Sequence, residues 1–306
     1  MTSLFPSSSP TPRAWARIEW PTVLLAVVIY GAWLAATRFH AALPWPARVA
    51  LGGWLIAWQG SLQHETIHGH PTPWRRVNAL IGGIPLSLWL PYARYRQTHI
   101  AHHATEHVTE PGVDPESRYL RISPTRLGKL KLSLGRLQST LVGRLVLGPV
   151  VDVIRFLVAE VSAFREAPGK SAGLWAVHLL AAAPLVAWLT LVCHMSLIDY
   201  LSSFILPGAA LTLVRSFAEH RADEEPGHRV AVVEAAPVFG LLFLNNNLHA
   251  VHHRRPGLAW YRLPQAYRGE RDAVLADNGG LVYRGYAEVF KRYAFRPCSK
   301  PRAAAR

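Results

Sequence analysis

The sequence predicts an all-α integral membrane fold: four transmembrane helices in two hairpins, interfacial helices, and a cytoplasmic helical cap. Three observations predict it. Four apolar runs come close to the about 20 residues a helix needs to cross about 30 Å of hydrocarbon. The two short turns that would join these runs in pairs are almost free of basic residues. Histidines recur at helical spacing in three places that this topology puts on one side of the membrane.

Residues 1–17 are rich in Ser and Pro and are expected to be disordered. Arg13 and Arg17 ahead of an apolar run imitate a secretory signal, but the run is long and a second follows at once, so an uncleaved first span over 21–39 is expected. Trp20 and Trp45 stand near span ends, where indole rings favour the interface. The second span, 46–63, runs straight into His64-Glu65-Thr66-Ile67-His68. Val77 to Leu90 is apolar but too short to cross and is broken by Gly82-Gly83 and Pro85, which suits an interfacial or re-entrant segment.

That segment leads to His99-Ile100-Ala101-His102-His103 and a turn-rich loop from Glu110 to Glu116. Residues 118–170 are basic, with an amphipathic stretch from Leu141 to Val161 expected along the membrane surface and no catalytic feature. Spans 174–195 and 198–214 follow, with Asp199 near their turn. His220 then leaves the membrane, and a mildly apolar segment from Val230 to Leu244, expected to be interfacial, delivers Asn246 and His249-Ala250-Val251-His252-His253. The expected organisation is a membrane domain over 18–297 with its cap in 64–170 and 215–297, then a flexible tail over 298–306.

The net charge of +14 does not point to nucleic acid. With both termini cytoplasmic, the outside turns hold only Arg38 and Arg48 of 33 Lys and Arg residues, a positive-inside pattern that orients the chain and puts the histidines at the cytoplasmic face of the inner membrane. The basic surface suits anionic lipid headgroups. Two cysteines, Cys193 and Cys298, imply neither a disulfide framework nor a thiolate metal site.

On a helix, positions i, i+3 and i+4 share a face, so each H-x-x-H-H copy aims three imidazoles at one point. His64 and His68 add two more from a third helix, and His220 reaches the same level. Eight histidines on three helical faces exceed the about four ligands that close a zinc site, so two metal ions are expected. The metal ligands are therefore read as His64, His68, His99, His102, His103, His220, His249, His252 and His253. Glu106, His107, His70 and Asn246 are expected around them as hydrogen-bond partners. His40, His178, His194 and His228 have no such pattern.

Imidazole suits iron, zinc and copper alike. Beside a bilayer, two irons with O2 can attack unactivated C–H bonds, the hard chemistry of lipid-like substrates. His64-Glu65-Thr66-Ile67-His68 also satisfies H-E-x-x-H, a membrane zinc metalloprotease with Glu65 as general base, but that reading leaves both H-x-x-H-H clusters without a role. A metal transporter would place ionisable ligands near mid-span, where there are almost none.

With these residues, the chain resembles the membrane fatty acid desaturase superfamily of non-haem diiron enzymes with three histidine boxes. His64 and His68 resemble the first box, His99, His102 and His103 the second, and His249, His252 and His253 the third. His220 stands where relatives place a ninth ligand, and Asp114-Pro115-Glu116 resembles the segment that trails box two. Ser216 occupies the position of an Asn that in some relatives reaches one metal through water, and Glu65 fits acyl-desaturase-like forms of box one. The resemblance implies an acyl-lipid substrate, two iron ions, O2 as co-substrate, and removal of hydrogen from adjacent methylenes to leave a double bond and water. It also implies a separate electron donor, a ferredoxin or similar. Hydroxylases, ketolases and alkene-forming decarboxylases share the same boxes.

Overall fold

The computed structural model describes residues 17–119 and 126–298. The expected disordered N-terminus and flexible tail fall outside these residues except for Arg17 and Cys298.

The described chain is mostly helical. α1 (Trp20–Arg38) starts with Pro21 in its first turn, where a missing N–H costs nothing. A 3-10 turn, His40–Ala42, joins it to α2 (Trp45–Ile67), which is stopped by Gly69 at φ +100°, a conformation glycine adopts without steric cost. α3 (Arg75–Gly82) and α4 (Tyr92–His103) follow, the latter launched by Pro91. α5 (Arg126–Gln138) leads to α6 (Leu141–Glu166), whose first turn is capped by Thr140 accepting from Gly143 N at 3.1 Å.

α7 (Pro168–Val192) and α8 (Leu197–Glu219) form the next pair, and α8 passes through a π-helical stretch, Leu201–Ile205, just ahead of Pro207. Beyond it lie β1 (Val232–Ala235), α9 (Pro237–Leu242), α10 (His249–Arg254), α11 (Leu263–Asp277), β2 (Val282–Gly285) and α12 (Tyr286–Tyr293).

Among the described residues, three helices are long and apolar enough to cross a membrane: α1, α7 and α8. The expected second span is the 23-residue α2, which falls short of that apolarity because Gln59, Ser61, Gln63 and His64 interrupt it. These side chains are buried inside the protein. α2 is the central post, packed on α1, α3, α4 and α8. It approaches α8 so closely that a Cβ on Gly52 would stand 2.5 Å from the Ser203 carbonyl, and one on Gly208 would stand 2.4 Å from Ile56 Cβ.

The all-α expectation needs one amendment. β1 and β2 form a parallel two-stranded ribbon, Val232 beside Val282 and Val233 beside Tyr283, and β1 lies within what was expected to be an interfacial segment. The valine-rich run Val230-Ala231-Val232-Val233 favours extended backbone, and the helical part of that segment is confined to α9. The ribbon packs on α8 and α10 and so fixes the third histidine element against the end of the last apolar helix.

Candidate metal centre

α2, α4, α8 and α10 end at one place, and each carries its histidines there in its last turn, at its cap or, on α10, from its first residue. The nine imidazoles sort into two groups. His64, His68, His99, His103 and His252 form one, His102, His220, His249 and His253 the other, and within each the ligand nitrogens lie within 4.8 Å of one another. Nitrogens bound at about 2.1 Å to one ion lie at most about 4.2 Å apart, so each group needs only a small contraction to hold an ion.

The Nε2 atoms face each other: His68 and His99 at 2.9 Å, His103 and His252 at 3.1 Å, His220 and His249 at 2.9 Å. The two groups touch where the His103 and His253 rings stack, with centroids 4.3 Å apart.

The outer nitrogens decide which atom points inward. His102 Nδ1 donates to Asp114 Oδ1 at 2.8 Å, and His99 Nδ1 to Glu116 Oε1 at 3.1 Å. His249 Nδ1 donates to Asn246 Oδ1 at 3.2 Å, while the Asn246 amide donates to Glu219 Oε1 at 3.0 Å. Glu219 is in turn paired with Arg215 at 3.1 Å. Each bond places the proton on Nδ1 and leaves the Nε2 lone pair for a cation. Asp114 is itself fixed by the backbone N–H groups of Thr109, at 2.7 Å, and Glu116, at 2.8 Å.

Burial and the neighbouring imidazoles hold His249, His252 and His253 well below the ordinary histidine range, and bring His103 and His220 down to about 3. These rings are neutral at pH 7, the form that binds metal. His102 goes the other way: burial lowers it, but the Asp114 hydrogen bond and the Glu116 and Asp114 charges outweigh burial and raise it.

Not every expected neighbour is at the centre. Glu106 and His107 are exposed on the loop after α4, where the helix has ended and the chain has turned outward. His70 lies past the turn at Gly69 and pairs with Glu19 at 2.8 Å. Ser216 is half-buried in the wall of the adjoining cavity, its hydroxyl oxygen buried and without a partner among the described residues. Glu65 accepts from the Trp260 backbone N–H at 3.1 Å and lies 3.6 Å from His64 Nδ1, on the outer side of that ring. That engagement does not suit a general base.

Sequence reasoning passed over Glu219 and Arg215 as members of the site, and met Glu116 only as part of the segment trailing box two. The available signal was a carboxylate next to an expected ligand, as Glu219 is to His220, or in the loop that follows one, as Glu116 is, which is common on any polar surface.

A partly enclosed cavity of about 630 Å³ adjoins the centre, within the range for small-molecule sites. His99, His102, His220 and His249 are at its inner wall, and Ile56, Leu201, Ile205, Leu206, Leu213 and Phe156 give it an apolar flank.

A family model described as fatty acid desaturase matches residues 39–287, a span that includes all nine histidines. The chain belongs to the fatty acid desaturase family. No curated protein matches it closely enough to add a named relative.

The family is a family of diiron oxidoreductases, and the desaturase residues here fit such a pair. The donor set is imidazole throughout, in a group of five and a group of four. His64 Nε2 is buried with no hydrogen-bond partner among the described residues. A buried nitrogen lone pair aimed at other lone pairs is costly unless something positive lies between them.

Proposed function

We propose that this desaturase-family chain is an O2-dependent diiron membrane oxidoreductase that introduces a double bond into an acyl chain. The observation that carries the reading is the sorting of nine imidazoles from four helices into two metal-sized groups beside one apolar-walled cavity. His64, His68, His99, His103 and His252 would hold one iron, and His102, His220, His249 and His253 the other. Bound iron supplies the two-electron activation of O2 that hydrogen removal from a methylene requires, with electrons delivered by a separate ferredoxin-like donor.

The protein's own part is positional. Asp114, Glu116 and Asn246 orient their histidines, and Arg215 holds Glu219 beside Asn246. The cavity wall of Ile56, Phe156 and the apolar α8 residues Leu201, Ile205 and Leu206 would keep water from the acyl chain and align its carbons.

The proposed topology has four spans, 21–39, 46–63, 174–195 and 198–214. The termini and the centre lie on the cytoplasmic side of the inner membrane, and the membrane domain runs over 18–297. The confinement of outside charge to Arg38 and Arg48 supports it. So does the exit of α2 and α8 toward the same histidine cluster.

The test is metal analysis of the purified chain, followed by lipid analysis of an expressing host. About two irons per chain and new double bonds are expected. A single zinc would overturn the reading, and new hydroxyls, ketones or terminal alkenes would move the chain to another reaction of the same centre.

A further inference from the structure

The cavity has a second chemical character that the metal centre does not use. On α6, Val142, Val146, Val150, Ile154, Val158 and Val161 are exposed along one face, an apolar stripe suited to lipid. The other face carries Arg144, Asp152 and Arg155 into the cavity wall, where Arg118 joins them from the loop behind Asp114.

The carboxylates of the cavity are already engaged. Glu219 pairs with Arg215, Asp114 with His102, Glu116 with His99, and Asp152 with Arg118 at 2.8 Å. Among the described residues, Arg144 and Arg155 hydrogen-bond only to neutral carbonyls: Arg144 Nε donates to Gln138 O at 2.8 Å and Arg155 Nη2 to Ser117 O at 2.6 Å. Arg155 Nη1 is buried and has no partner among the same residues. Arg144 is 4% exposed. Burial, reinforced by Arg118 and opposed by Asp152, lowers the pKa of both, though not enough to discharge a guanidinium.

Asp152 is the carboxylate that acts on both, and it is already paired with Arg118, so three guanidinium groups, Arg144 buried and Arg155 half-buried, lean on one carboxylate. Such an excess of positive charge is expensive, and a protein retains it where a ligand supplies the missing anion. We propose that Arg144 and Arg155 bind the anionic head, a carboxylate or a phosphate, of the acyl substrate whose chain lies along the apolar flank of the same cavity. That the ligand is the acyl substrate rests on the function proposed above; that it is an anion rests on the arginines alone. The substrate is then a free acid or an alkyl chain ending in a phosphate monoester, and a neutral glycerolipid is a poor fit.

The test uses the full chain in nanodiscs of neutral phosphatidylcholine, with tryptophan fluorescence as the readout, since Trp89 lines the cavity. The probes are hexadecanoate, hexadecyl phosphate and methyl hexadecanoate. An anionic probe should bind at least about tenfold tighter than the methyl ester, the scale of one charge-assisted hydrogen bond. A preference for hexadecanoate over hexadecyl phosphate identifies the head as a carboxylate, and the reverse as a phosphate.

The preference should vanish in Arg144→Gln/Arg155→Gln and survive in Arg144→Lys/Arg155→Lys, which keeps the charge if the glutamine pair does not fold. Equal binding of ester and anions, or an undiminished preference in a folded glutamine variant, would overturn the proposal. Metal content is measured on the same samples. Anion preference without iron would sink the oxidoreductase reading alone, and iron without anion preference would sink only this one.

Discussion

His102 Nδ1 and Asp114 Oδ1 are 2.8 Å apart, and both side chains are buried. The pair ties the second histidine element to the loop that follows it. Asp114 also collects the N–H groups of Thr109 and Glu116, so one carboxylate fixes both a ring and the loop.

Asp114→Asn keeps the side chain's size but replaces one carboxylate oxygen with a hydrogen-bond donor. A loss of about 10–100-fold in metal affinity or turnover is expected, the usual effect of removing a carboxylate behind a ligating histidine. Iron titration of the purified variant checks it, and wild-type affinity would show that His102 needs no such partner.

Gly60 lines the cavity, and a Cβ there would meet nothing within 4 Å. Gly60→Leu should therefore fold and keep the metal content of the unmutated chain while taking up cavity space. Turnover of the longest acyl chain should fall about tenfold relative to shorter ones, since a hydrophobic pocket discriminates by about 1–3 kcal/mol per methylene. A panel of chain lengths assayed side by side gives the answer, and a uniform effect on all of them would exclude the cavity as the acyl site.

Gly52 and Gly31 are both helical glycines with opposite surroundings. A Cβ at Gly52 would collide with the Ser203 carbonyl and the Phe204 ring, whereas one at Gly31 meets nothing within 4 Å. Gly52→Ala should cost about 1–3 kcal/mol by overpacking. Gly31→Ala should be neutral or slightly stabilising, because alanine is the better helix former. Thermal denaturation of both variants in detergent compares them directly.

Arg48 and Asp199 form an ion pair between the start of α2 and the start of α8, with side chains 17% and 24% exposed. Arg48→Ala leaves a largely buried carboxylate without its partner and should cost about 1–3 kcal/mol. Adding Asp199→Asn should restore part of it. A double variant less stable than the single would mean that the pair does not act as a unit.

The helical architecture was legible because it rests on local signals: apolar runs long enough for a bilayer and histidines recurring at helical spacing. The ligand set was legible as a pattern because i, i+3, i+4 spacing fixes which side chains share a face whatever the helix packs against. The polarity of α2 was readable too, though length alone favoured a lipid-facing span. Its Gln59, Gln63 and His64 belong to a post buried among other helices.

Which imidazole joins which group was settled by tertiary structure. His102 and His103 are adjacent in sequence yet fall in different groups, because successive residues on a helix point about 100° apart and α4 passes between the two. Likewise Arg144 and Arg155 are ordinary basic residues in a basic stretch until α6 turns its apolar stripe outward and carries them into the cavity. Periodicity determines a face. What that face meets depends on contacts between segments far apart in the chain, and no local pattern encodes them.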